Sequence, residues 1–129
     1  MIIQQIAAFV ALAGFAGLAV FHMGLVLGAP LGHLAWGGRH RRLPPRLRLA
    51  SLMAISVLVV GAGCLLEGSG VVSVFGWSDG VRVVTWGLVG VFGLGIIGNL
   101  ASNSRPERRM GVPLSILLTV ACLIVGVSL

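Results

Sequence analysis

Gly28-Ala-Pro-Leu-Gly-His-Leu-Ala-Trp-Gly-Gly-Arg-His-Arg-Arg-Leu-Pro-Pro-Arg-Leu-Arg48 holds five of the nine arginines and two of the three histidines in the chain. On either side of it lie apolar runs long enough to cross a hydrocarbon core of about 30 Å. A basic segment between two such runs fixes which way a membrane polypeptide faces. The rest of the sequence follows the same alternation. Its reading gives an all-α, integral membrane four-helix bundle with both termini outside.

The composition agrees. Of 129 residues, 57% are apolar and 9% are charged, with 20 glycines and a net charge of +6. A water-soluble surface needs far more charge than that. In a soluble protein the positive balance would point to nucleic acid. Here eight of nine arginines sit in two short links, which is the distribution of topology signals and excludes a nucleic-acid partner. Anionic headgroups are the expected contact. The abundance of Arg, Gly, Ala, Val and Leu, all written with GC-rich codons, suggests a bacterial genome and hence a plasma (inner) membrane. Met1-Ile-Ile-Gln-Gln lacks a positive n-region, and the apolar run after it exceeds an h-region, so a retained span is expected there. Cys64 and Cys122 are isolated in apolar runs and read as small buried residues.

Four spans in one domain are predicted, at about 2–27, 49–66, 81–100 and 113–128. Gly28 and Pro30 end the first. Ala13 with Gly17, and Gly24 with Gly28, form small-xxx-small pairs that invite another helix. Pro44-Pro45 open the second, placing Arg46 and Arg48 at the positive end of a helix dipole, where phosphates would compensate them. Ser78 or Asp79 is expected to cap the third span. On that span Gly87, Gly90 and Gly98 share one side with Leu94, a groove for a neighbouring helix or a second copy of the chain. Ser104 and Glu107 make an S-x-x-E capping box, and the fourth span is expected to bend or restart at Gly111 and Pro113. The links carry five, one and three arginines in turn. Both basic links are therefore placed in the cytoplasm.

Few groups can carry chemistry. His22 is the only histidine inside a span, about 7–8 Å from the cytoplasmic end. A polar group in lipid must find a partner, and Asn99, at similar depth, is the one expected. Ser51 and Ser102 lie at comparable depth. Together they outline a polar pocket roofed by Arg39, Arg46, Arg48 and Glu107. His33 and Trp36 belong to a short amphipathic piece and read as headgroup-level anchors or binding residues. The histidines lack convergent carboxylates or thiols, so no metal site is expected and no cofactor is indicated. Every acid lies in a link, which argues against proton-coupled drug efflux, and the charge bias argues against a dual-topology dimer.

Three segments together resemble an uncharacterised family of small four-span bacterial membrane proteins: Gly28-Ala-Pro-Leu-Gly-His-Leu-Ala-Trp-Gly-Gly-Arg-His40, Leu43-Pro-Pro-Arg-Leu-Arg-Leu-Ala-Ser51 and Asn99-Leu-Ala-Ser-Asn-Ser-Arg-Pro-Glu-Arg-Arg109. The resemblance implies the four-span fold and draws attention to the face carrying the basic links. It implies no activity, ligand or catalytic residue.

Three functions are compatible with these features. The first is a non-enzymatic membrane protein whose basic cytoplasmic loops bind a partner protein, anionic lipid or small anion. The second is a small transporter or channel whose path is lined by His22 and Asn99. The third is a membrane enzyme acting on a lipid or quinone with His22 as base, weakened by the lack of a second catalytic group.

Overall fold

A computed structural model describes residues 2–129. It contains four long helices: α1 (Ile2–Val26), α2 (Pro45–Gly68), α3 (Ser78–Leu100) and α4 (Arg105–Val127). Each is long and apolar enough to span a membrane. The helices pack in sequence, α1 on α2, α2 on α3 and α3 on α4, and α4 closes the ring against α1. The chain is a membrane-spanning four-helix bundle.

Four inward stripes, each stepping by three or four residues, hold the bundle together. They comprise Ala8, Ala11, Phe15, Leu18, His22 and Leu25 on α1; Ser51, Ala54, Leu58, Gly61 and Leu65 on α2; Val81, Thr85, Leu88, Phe92, Gly95 and Asn99 on α3; and Gly111, Ser115, Leu118, Cys122 and Val125 on α4. Halfway along, a Cβ on Gly61 would meet both Leu88 and Phe15, and one on Gly14 would meet Leu118. At one end, Gly68 lies against Val81, Val125 and Leu129. These levels make the helices alternate in direction. Away from lipid-facing positions, the core from Ala7 to Phe15 and from Leu118 to Val125 is solidly filled, with the Phe15 and Phe92 rings stacked at 5.4 Å. Cys64 and Cys122 are buried free thiols.

Helix ends follow local rules. Gly28 (φ 89°) closes α1 in a Schellman turn, with Ala29 N–H on the Gly24 carbonyl and Gly28 N–H on that of Leu25. Gly70 (φ 79°) repeats the motif after α2. α3 begins earlier than its expected caps: Ser78 and Asp79 lie inside its first turn, and Trp77 precedes it without a side-chain cap. The Trp77 ring instead covers Gly80, where a Cβ would overlap it. α4 neither stops nor restarts at Pro113. It runs unbroken from Arg105, so the capping box and the fourth span are one helix.

The small-xxx-small pairs do not make the close approaches. A Cβ on Gly17, Gly87, Gly90 or Gly98 meets nothing within 4 Å, and Gly24 touches only its own following loop. The close approaches between helices are at Gly14, Gly61 and Gly111, which take Leu118, Leu88 with Phe15, and Asn99. Gly87, Gly90 and Gly98 of α3 face outward, beside exposed Leu94 and Ile97.

Between α2 and α3, Val71–Phe75 forms no helix. The Glu67 carboxylate gathers this link by accepting three successive backbone N–H groups, from Val74 (2.8 Å), Phe75 (2.5 Å) and Gly76 (3.0 Å). Phe75 thereby rests over Gly63.

Candidate functional site at the basic end

The first and third links meet at one end of the bundle, bringing eight of the nine arginines together there. Only Arg82 lies at the other end. The first link crosses over as two short 3-10 turns, Gly32–Leu34 and Trp36–Gly38. Its course is pinned at Gly32, whose N–H donates to the Arg41 carbonyl (2.9 Å) and whose Cα leaves no room for a Cβ beside the His40 carbonyl. Trp36 (φ 51°), Gly37 (φ 84°) and Gly38 (φ 73°) are all left-handed. That conformation is costly for a bulky residue and is held only where the surroundings compel it.

The surroundings here are specific. Trp36 Nε1–H donates to Ser51 Oγ (3.0 Å), and its ring stands edge-on to the His22 imidazole at 6.2 Å. The indole is therefore turned into the bundle, although 42% of the residue remains exposed. This differs from an anchor lying flat at headgroup level. His33 keeps its side chain outside, and its carbonyl accepts from Ser104 Oγ (2.5 Å).

The capping box is half as expected. Glu107 N–H donates to Ser104 Oγ at 3.4 Å, but the Glu107 carboxylate does not return to the Ser104 N–H. Ser102 stands between them: its hydroxyl accepts from Ser104 N–H (3.1 Å) and donates to Glu107 Oε2 (2.6 Å). Gly37 N–H approaches Glu107 Oε1 at 3.5 Å. Arg108 donates to the Ser102 carbonyl. Ser104 and Glu107 thus tie the third link to the first, and Ser102 braces the two of them.

Beneath this roof the inward stripes stop filling the interior. A cavity of about 410 Å³ is lined by every helix and by Leu34, Ala35 and Trp36 of the first link. Leu58 and Leu118 belong to its floor and to the packed core. His22, Trp36, Asn99, Glu107 and Ser115 supply its polar groups. His22 and Asn99 do share one pocket, but they are not bonded to each other. Asn99 Nδ2 donates to Ser115 Oγ (2.9 Å), and its amide fills the notch at Gly111. His22 Nδ1 is buried with no hydrogen-bond partner among the described residues.

The arginines expected over this pocket are not on its lining. Arg39 and Arg46 are exposed to the surroundings of the bundle end, and Arg48 folds back to donate to the Leu43 carbonyl (2.8 Å) beside Gly28. Of the residues singled out from sequence, His22, Asn99, Trp36 and Glu107 converge, while His33, Arg39, Arg46 and Arg48 lie outside the cavity. Ser115 joins them unheralded, because a lone serine in an apolar run carries no pattern. Among the described residues no three His, Cys, Asp or Glu side chains come together as a metal site.

A second hollow of about 650 Å³ lies on the outside of the bundle, between α1 and α4. Gly14 and Gly17 open its α1 side, and Leu114, Leu117 and Pro113 form its α4 side. Arg109 is its only charged lining residue. Leu18, Phe21, Leu34, Gly111 and Leu114 line both hollows, so a thin wall of side chains separates them.

The chain matches no protein-family model, no curated protein and no solved structure.

Proposed function

We propose that this chain is a non-enzymatic, multi-pass protein of a bacterial inner membrane, with both termini outside, whose basic end binds anionic phospholipid. The observation that carries the reading is the α1–α4 groove, apolar along its length and closed by one arginine. Its width comes from Gly17, where the missing side chain leaves room for an acyl chain. Arg109 stands where a headgroup phosphate would sit, and a guanidinium takes two phosphate oxygens at once.

The remaining basic face supports the same partner. Arg39, Arg41, Arg42, Arg46 and Arg105 are exposed around it. Arg46 and Arg105 sit in the first turns of α2 and α4, where the helix dipole opposes a cation, so a bound phosphate relieves both. Each basic residue near an anionic surface contributes about 1 kcal/mol of attraction. A free small anion would satisfy the arginines but leave the groove empty, and a protein partner has no comparable complement. The charge asymmetry between the two ends supports the basic end as the cytoplasmic one, and the resemblance noted above supports a bacterial setting. The outward glycines of α3 support self-association through that face.

Lipid extraction after mild detergent purification tests this reading. Phosphatidylglycerol or cardiolipin should be retained by the native chain and lost in Arg109→Gln. Equal retention of zwitterionic lipid, or no change in Arg109→Gln, would count against it. The transport reading has less support, because Phe15, Phe92, Leu58 and Leu118 fill the interior beneath the cavity. Solute flux in proteoliposomes would restore it.

A further inference from the structure

We propose that the half-open pocket among the four helices at the basic end is a binding site for a flat, uncharged ring bearing a carbonyl or hydroxyl group, the chemistry of a quinone or phenol head. This goes beyond the lipid groove, which lies on the other side of the wall formed by Leu18, Phe21, Leu34 and Leu114. The volume, about 410 Å³, falls among those of small-molecule pockets and is too small for a whole phospholipid.

The class of ligand follows from what the lining offers. No arginine lines the cavity, so nothing there recognises an anion. The one charged group, Glu107, already accepts from Ser102 and lies close to Gly37 N–H. Trp36 N–H is committed to Ser51, and the Asn99 amide to Ser115. His22 is left: its ring has no hydrogen bond among the described residues, Nδ1 is shut off from the cavity, and the ring edge that carries Nε2 is the part a ligand can meet. Such a group is costly to bury, and ligands that complete it bind selectively. A carbonyl serves the N–H tautomer of that nitrogen, a hydroxyl either form.

The remaining lining is apolar and carries three aromatic side chains. Phe21, Trp36 and Phe92 all face the space, and Trp36 is kept there against its backbone preference. Rings of this kind pack on the face or edge of another ring. Water alone would not need three aromatic walls. Because the wall to the groove consists of side chains only, a ring with an apolar tail can enter sideways from the bilayer.

Trp36 provides the readout. In full-length protein in nanodiscs, Trp77→Phe with Trp86→Phe removes the two indoles outside the cavity, and a short-tailed benzoquinone serves as probe. Saturable quenching of Trp36 is expected. His22→Phe should weaken it by about tenfold or more, the scale of one lost buried hydrogen bond, without lowering the melting temperature. Ala54→Leu, which adds bulk to the cavity wall, should weaken it independently, and Arg109→Gln should leave it intact. Quenching that rises linearly with probe, or that is unchanged by both His22→Phe and Ala54→Leu, would mean that the cavity holds only water and would overturn the proposal. Loss of lipid in Arg109→Gln would be unaffected by that outcome, so the two readings fail separately.

Discussion

Trp36 Nε1–H donates to Ser51 Oγ at 3.0 Å from a left-handed backbone (φ 51°), tying the first link to the inward face of α2. Ser51 is fully buried, so nothing else can take its place. Ser51→Ala leaves the indole N–H without an acceptor and should cost about 1–3 kcal/mol. With Trp36 as the only tryptophan, its emission should shift to the red as the ring swings outward. An unchanged spectrum would show that the hydrogen bond does not hold the ring.

Ser102 is the corresponding pin on the other link. Its hydroxyl satisfies Ser104 N–H and Glu107 Oε2 together, so Ser102→Ala removes two bonds and should destabilise by about 1–3 kcal/mol. Thermal unfolding in detergent measures the loss. Ser104→Ala removes the helix cap and the bond to the His33 carbonyl, and should be of similar size. Neither change losing stability would contradict the assigned network.

Gly32 on one side and Gly17 with Gly87 on the other mark the two extremes among the glycines. Gly32→Ala would push a methyl group into the His40 carbonyl, and should prevent the first link from closing. Gly17→Ala and Gly87→Ala meet open space and should raise stability slightly, by about 0.5–1 kcal/mol, because alanine is the better helix former. Unfolding midpoints of the three variants decide the matter. Comparable losses at Gly17 and Gly32 would be the contrary result.

At the opposite end, Glu67→Ala deprives three consecutive N–H groups of their acceptor. Hydrogen exchange at Val74, Phe75 and Gly76 should speed up, with the basic end unaffected. Protection unchanged at those three positions would rule out the carboxylate as their anchor.

Much of this molecule was legible as sequence. The four helices follow from apolar length, and Gly28 marked the end of α1 because only a left-handed C-terminal residue closes that turn cheaply. That His22 and Asn99 share one level of the bundle also followed, since rise per residue is fixed. Their pairing did not. Depth gives no account of the lateral neighbour, and Asn99 finds Ser115 across the α3–α4 turn at a distance His22 does not compete for. The inward turn of Trp36 was equally invisible, because a left-handed tryptophan runs against local preference and is imposed by Ser51 and the glycines after it. Small-residue spacing misled for a related reason. Helices here approach through single side chains seated in isolated notches such as Gly14 and Gly111, which need no repeat.

The orientation of the bundle underlies the lipid reading, because only the inner leaflet presents dense anionic headgroups to arginine. Single-cysteine labelling with a membrane-impermeant maleimide tests it most directly, in a background with Cys64 and Cys122 replaced by alanine. Ser128→Cys should react in intact cells, and Asn103→Cys only after the membrane is permeabilised. Labelling of Asn103→Cys in intact cells, with Ser128→Cys protected, would turn the basic end outward and contradict the account.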